Sequence, residues 1–223
     1  MAGASLERML DVGLDLVLPR QCGGCGAPAT GWCAGCAAQL AVGPDEPRLA
    51  SPRLDPQVPV FALGRYAGAR RQAIVAVKER GRTDLIAPLA LPLAVALQRL
   101  LCWGMLDLPL TIIPAPTRRS AARRRGGDPI GRIAAAASAR HPGITVAPAL
   151  RMRALTRDSV GLGSGARERN VGGRVVLSRR RLPPGDVLVV DDVVTTGATL
   201  AESVRVLRSG GVAVAAALVI AAA

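Results

Sequence analysis

The chain has 223 residues, half of them apolar, and carries 29 basic against 16 acidic residues for a formal charge of +13. That composition excludes global disorder, and the length fits one ordinary domain plus an appendage, with a core that needs no disulfides. Four aromatics (Trp32, Phe61, Tyr66 and Trp103) leave no base-stacking platform of the kind a dedicated single-strand binder uses, while the basic excess favours a polyanion: nucleic acid, a membrane surface or a phosphorylated small molecule.

The charge is uneven. Residues 117–181 hold sixteen Arg against three acids, a net of +13, whereas residues 1–57 hold four Arg against six acids. All basic residues are Arg except Lys78. No apolar run is read as long enough to cross a bilayer. Asp11 and Asp15 interrupt the apolar N-terminal stretch and make it a poor signal peptide. A soluble cytoplasmic protein is the expectation, with oligomerisation left open.

Residues 5–18 place Leu6, Met9, Leu10, Leu14 and Val17 at helical spacing, as in a short amphipathic helix. Residues 19–42 are Gly- and Cys-rich and irregular, and residues 43–58, with four prolines, read as a linker. From residue 59 a larger domain runs to 223. Val60, Phe61, Leu63 and Tyr66 mark a first strand. Helices follow at 68–80 and 84–102, the second interrupted by Pro88 and Pro92. Cys102 is expected in the core. A buried strand falls in 108–116, and a helix at 129–140 starts on Pro129. Residues 144–178 are mixed, with a strand at 174–178. A β-branched strand at 186–192 leads into a helix at 196–211, and 212–221 reads as a final buried strand, with a helix as the alternative. This alternation predicts an α/β domain with a mainly parallel sheet flanked by helices.

Cys22, Cys25, Cys33 and Cys36 form C-x2-C-x7-C-x2-C. Two residues between cysteines let both thiolates face one ion, and two such knuckles complete a tetrahedral four-thiolate zinc site without an open position, hence structural. Two disulfides or a redox pair are the alternatives, disfavoured in a cytoplasmic chain. The N-terminal unit, residues 1–42, is thus read as a helix plus zinc knuckle.

The segment VLVVDDVVTTGATL (187–200) is the most informative. A buried strand delivers Asp191 and Asp192 to the ligand-binding edge of the sheet. A loop of Thr195, Thr196, Gly197, Ala198 and Thr199 then opens a helix whose free N–H groups suit a phosphate. The acids would repel phosphate, so they suit two sugar hydroxyls, or Mg2+ held through water. One loop thereby reads both ends of a 5-phosphorylated sugar.

Residues 187–199 resemble the thirteen-residue signature for 5-phosphoribosyl 1-pyrophosphate (PRPP) in type I phosphoribosyltransferases. With the cysteine knuckle, Tyr66-x-Gly68 and Lys78, the Pro114-Ala115-Pro116 strand end and the Arg-rich loop after it, nearly the whole chain resembles the ComF family, phosphoribosyltransferase-like proteins some of which are associated with competence for DNA uptake. Arg125, Gly126, Arg157, Arg167 and Asn170 match that pattern; Gly127, Asp128, Pro129 and Ser159 depart from it and leave the PRPP core untouched. The resemblance implies a type I phosphoribosyltransferase-like fold and a glycosyl transfer: ribose-5-phosphate passes from PRPP to an acceptor and pyrophosphate leaves, with Mg2+ as cofactor. It assigns Asp191 and Asp192 to the ribose hydroxyls, and Val190, Val193 and Val194 with Thr195–Thr199 to PRPP. Lys78, Arg118 and Arg119 are expected on the pyrophosphate. The alternative expectation is a non-catalytic nucleic-acid or competence protein, with single-stranded DNA or other competence proteins as partners and the fold retained as a nucleotide sensor or scaffold.

Overall fold

A computed structural model describes residues 21–116, 128–153, 173–178 and 182–223. The expected 5–18 helix, Arg118, Arg119, Arg125, Gly126, Gly127, Arg157, Ser159, Arg167 and Asn170 lie outside the described residues.

The strands are β1 (Arg48–Leu49), β2 (Val60–Ala62), β3 (Leu110–Pro114), β4 (Ile144–Val146), β5 (Leu150–Met152), β6 (Val175–Leu177), β7 (Asp186–Val194) and β8 (Ala216–Ala222). Six of them form one sheet in the order β1-β2-β8-β7-β3-β4, parallel throughout except for β1. β5 and β6 form a separate antiparallel pair. Helices are α1 (Ala34–Leu40), α2 (Gly68–Arg80), α3 (Ile86–Cys102, entered through a 3-10 turn at Thr83–Leu85), α4 (Pro129–Ser138) and α5 (Ala198–Ser209). The expected mixed α/β architecture, with a mostly parallel sheet flanked by helices, is therefore present.

Strand alternation divides the core. Leu188 and Val190 of β7, with Ala216 and Leu218 of β8, face the cluster formed by α2, α3 and α4. Val187, Val189, Ala217 and Val219 face Leu200, Val204 and Leu207 of α5. Both sides of the central strands are buried, which is why 187–190 reads as a continuous apolar run.

Several expectations need correction. Pro88 and Pro92 do not interrupt α3, which is continuous from Ile86 to Cys102. Pro88 sits in the first turn, where its missing N–H has no helical partner anyway. Pro92 is internal, and its cost of about 3 kcal/mol is offset by Leu89, Leu93, Leu97 and Leu100, all fully buried. Thr83–Cys102 is, at 20 residues, long and apolar enough to cross a membrane by length and composition; its leucine face is instead part of the core shared with α4. Cys102 is exposed rather than buried, its Sγ 3.3 Å from Gln98 Nε2. The irregular 19–42 stretch contains α1, and the 43–58 linker contributes the edge strand β1. Asp128 and Pro129 begin α4: the Asp128 carboxylate accepts the Gly131 N–H at 3.2 Å, and Pro129 takes the first turn.

Candidate functional site

The connections locate a crevice. From β3 the chain passes through α4 to β4 at one edge, and from β7 it passes through α5 to β8 in the opposite direction. The two helices cover opposite faces of the sheet. The order therefore reverses between β3 and β7, and open α/β sheets bind ligands outside the carboxyl ends of strands at such a point. Pro114 lies opposite Val190, and the Ala115 N–H donates to the Val190 carbonyl at 2.8 Å. Asp191 is next in line, so the acid pair borders the end of β3.

β7 continues two residues beyond the acids, to Val194, where the sequence placed them at its end. The carboxylates fold back on the backbone: Asp191 Oδ1 accepts the Asp192 N–H at 2.8 Å, and Asp192 Oδ1 accepts the Val193 N–H at 2.7 Å. Asp192 is buried, and its Oδ2 forms an ion pair with Lys78 Nζ, carried in by the last turn of α2. Burial would lower the Lys78 ammonium, but the Asp192 charge and hydrogen bond, with Asp191 behind it, raise it. Asp191 is pushed well above the ordinary carboxylate range, by burial first and the Asp192 charge second, with Lys78 opposing. Two carboxylates and one ammonium thus form a single charge cluster, able to accept hydrogen bonds from adjacent hydroxyls or to face a divalent cation.

A raised carboxyl binds its proton more tightly folded than unfolded. Its contribution to stability is complete below the ordinary aspartate range, near about 3.9, and is lost as pH rises through the folded-state value. Asp191→Asn keeps an oxygen for the Asp192 N–H and removes the charge. It is expected to raise Tm by about 2–4 °C near neutral pH, for about 1 kcal/mol, with a smaller gain at pH 5. Thermal melts at the two pH values check this; an equal loss of Tm at both would contradict it.

The Thr loop opens α5. Gly197 is the N-cap at φ 86°, and the first intrahelical bond runs from Ala201 N–H to Gly197 O at 2.9 Å. Thr196 Oγ1 receives the Ala198 N–H at 3.4 Å, and the Thr199 and Leu200 N–H groups have no intrahelical acceptor at this terminus. The bare Cα of Gly197 accommodates residues 52–54. A Cβ there would lie 2.7 Å from Pro52 Cβ and closer still to Leu54 O. Leu54 N–H also donates to Thr196 O at 2.8 Å. Gly197→Ala is expected to cost about 2 kcal/mol or more, combining left-handed backbone strain with that collision. Urea unfolding measures it, and an unchanged midpoint would refute the packing role. Sequence reasoning missed this contact, because its prolines signal only a linker.

The second site is the cysteine cluster. Sγ atoms of Cys22, Cys25, Cys33 and Cys36 all lie within 4.8 Å of one another, and none is in a disulfide. Cys25 and Cys33 sulfurs are 3.6 Å apart, near the about 3.8 Å edge of a tetrahedron with Zn–S of about 2.3 Å. The Cys33 N–H points at Cys22 Sγ and the Cys36 N–H at Cys33 Sγ, each at 3.4 Å, so Cys33 is also the N-cap of α1. Gly24 lacks the Cβ that would stand 2.5 Å from Cys36 Sγ. Burial would raise the Cys22 thiol, but N–H groups of Cys25, Cys33 and Gly24 bring it down to about 6. Burial and the neighbouring sulfurs push Cys36 up. The donor set fits one metal ion and is consistent with structural zinc.

This cluster is tied into the core. Cys22, Cys36 and Leu40 pack in the same cluster as Leu85, and Arg82 reaches Gln21 O (3.0 Å), Gly31 O (3.2 Å) and Asp84 (2.7 Å). Arg99 donates to the Glu46 carbonyl at 2.7 Å and holds the following segment. No protein-family model matches this chain, and no curated protein matches it.

Proposed function

We propose that this protein is a type I phosphoribosyltransferase-like member of the ComF kind, which binds PRPP with Mg2+ and transfers its ribose-5-phosphate to an acceptor. The observation that carries the reading is the coincidence of the 187–199 segment with the point where strand order reverses. Asp191 and Asp192 accept hydrogen bonds from the ribose hydroxyls. Thr195 and Thr196 hydroxyls, with the Thr199 and Leu200 N–H groups, hold the 5-phosphate. Mg2+ supplies charge neutralisation of the pyrophosphate oxygens when bound. The Lys78 side chain, 40% exposed against 8% for Asp192, offers its ammonium to the pyrophosphate from beside the acid pair, and Arg118 and Arg119 follow the β3 end in sequence. In the transfer the bond from C1 to the pyrophosphate oxygen breaks, C1 bonds to the acceptor nucleophile, and the nucleophile's proton passes to water.

Turnover is tested by incubating the full chain with PRPP, Mg2+ and a panel of nitrogen nucleophiles while measuring pyrophosphate. Release that requires both PRPP and one acceptor is expected; none across the panel, with PRPP bound, would reduce the protein to a binder. A second reading, a nucleic-acid or competence role, draws on the +13 carried by residues 117–181. It predicts single-strand binding that falls steeply with salt, and a gel shift with no complex even at low salt would remove it.

A further inference from the structure

Lys78 reaches the acid pair from α2, and α2 buries few large side chains of its own. Its buried apolar face is Ala69, Ala73 and Ala76 with Ile74 and Val77. A buried methyl contributes far less than a buried leucine, so the elements on either side of α2 matter more than they do for α3. Among the described elements its principal neighbours are β8 of the sheet, α1 of the cysteine knuckle and the 3-10 turn that opens α3.

The knuckle meets α2 at both ends. At the start, Gln39 of α1 accepts the Ala69 N–H on its Oε1 at 3.4 Å. At the finish, Gly81 takes the left-handed cap at φ 65°, and Arg82 follows directly. The Arg82 guanidinium donates to the Gln21 carbonyl at 3.0 Å and to the Gly31 carbonyl at 3.2 Å, while the Asp84 carboxylate accepts from it at 2.7 and 2.8 Å. Gln21 precedes Cys22, and Gly31 lies between Cys25 and Cys33. The Gly31 carbonyl also receives the Gly23 N–H at 2.9 Å. Both carbonyl acceptors of Arg82 therefore belong to the loops that carry the sulfurs. A planar guanidinium fork bonded to several fixed oxygens is held in orientation as well as in place.

Those loops hold their shape through the cysteines. Their four sulfurs lie within 4.8 Å of one another, and in such thiolate sites metal binding and local folding are one event.

We propose that Arg82 is a positioning residue that couples the cysteine knuckle to the Lys78–Asp192 pair. A metal-filled knuckle holds the Gln21 and Gly31 carbonyls, the carbonyls hold Arg82, and Arg82 holds the last turn of α2, from which Lys78 reaches Asp192. With the knuckle emptied or Arg82 removed, that turn loosens and the ammonium leaves the acid. The coupling is reciprocal, so formation of the pair favours retention of the metal. It does not rest on phosphoribosyl transfer. On that reading, the same coupling lets the knuckle govern the contact between Lys78 and pyrophosphate.

Lys78 is the single lysine of the chain, so an amine-acylating reagent reports on one side chain besides the α-amine. The full chain, zinc-loaded or stripped by a chelator under reducing conditions, is treated with a low dose of N-acetoxysuccinimide. Acetylation of Lys78 is timed by mass spectrometry at a temperature where circular dichroism shows the samples folded. A paired ammonium must leave Asp192 and lose its proton before it reacts, and Asp192→Asn marks the rate of the unpaired side chain. Zinc removal from the wild type is expected to raise the rate about tenfold, as for loss of a charge-assisted hydrogen bond. Arg82→Met should raise it similarly with zinc still bound, and chelation of that variant should then add little. Arg99→Met removes the tie to the Glu46 carbonyl without touching Arg82 or its acceptors, and should react as the wild type does. A folded, zinc-loaded Arg82→Met that reacts as slowly as wild type would overturn the proposal, and this arm decides even where the stripped chain unfolds. So would a chain that takes up no zinc, a folded wild type indifferent to chelation, an Asp192→Asn rate no higher than wild type, or a full further rise on chelating Arg82→Met. Absence of PRPP binding with these rates as expected removes the transferase reading and leaves the coupling.

Discussion

Cys36→Ser is expected to strip the protein of its metal and lower Tm by about 10 °C or more. Structural zinc contributes apparent binding energies of about 10–16 kcal/mol in zinc-finger peptides. Even a third of that, at about 2–4 °C per kcal/mol for a chain of this size, is a shift of this order. The effect spreads because Cys36 and Cys22 are packed in the main core cluster with Leu40 and Leu85, and Arg82 binds the knuckle to the turn before α3. Elemental analysis should find one zinc per purified chain in the wild type and none in the variant, with thermal melts reporting the loss. Cys102→Ser, at an exposed position outside the cluster, serves as the control and should melt with the wild type. An unaltered Tm in Cys36→Ser would show that the four sulfurs converge without a stabilising ion.

The second large effect falls on ligand binding. Asp191→Asn combined with Asp192→Asn is expected to weaken PRPP binding by about 100-fold or more. Hydrogen bonds to charged acceptors contribute about 1.5–3 kcal/mol each, and two lost together reach that factor at about 1.4 kcal/mol per decade. Asparagine retains an oxygen for the Asp192 and Val193 N–H groups, so the local backbone is preserved. Stability should move the other way at Asp191, since removing that charge relieves a carboxyl whose pKa burial has raised. A residue whose loss stabilises the fold and abolishes binding is being kept for the ligand. On the proposed reading, in which the ionised pair holds PRPP, wild-type affinity should also rise with pH through the raised Asp191 value.

The parts of this fold that depend on local pattern were legible in the residues. The β-branched run at 187–190 and the Thr-Gly cluster after it mark β7 and the start of α5, and Gly81 at φ 65° closes α2 where the 68–80 reading ended. Cysteine spacing likewise found the four sulfurs. What escaped depends on contacts between distant segments. The Lys78–Asp192 pair joins residues more than a hundred positions apart, and no spacing rule reports that this lysine pairs with that acid. Residues 52–54 look like linker because proline suppresses any periodic pattern, yet they close over Gly197. Pro92 reads as a helix breaker, but the burial of Leu89, Leu93 and Leu97 outweighs the missing N–H. Cys102 was misread because the end of α3 turns it away from the leucine face.

The charge of the chain is also divided by the fold. Arg82 and Arg99 are structural ties, Arg48 and Arg65 line a cavity, and the sixteen arginines between 117 and 181 include those after the β3 end. One net figure therefore covers several separate roles.

The most direct measurement is calorimetric titration of the folded, metal-replete wild-type chain with PRPP in the presence of Mg2+. Saturable one-to-one binding is predicted, with Kd in the range of roughly 1 μM–1 mM usual for enzyme substrates, and its loss in the Asp191→Asn/Asp192→Asn variant. A folded wild-type protein that gives no binding at millimolar PRPP would contradict the account.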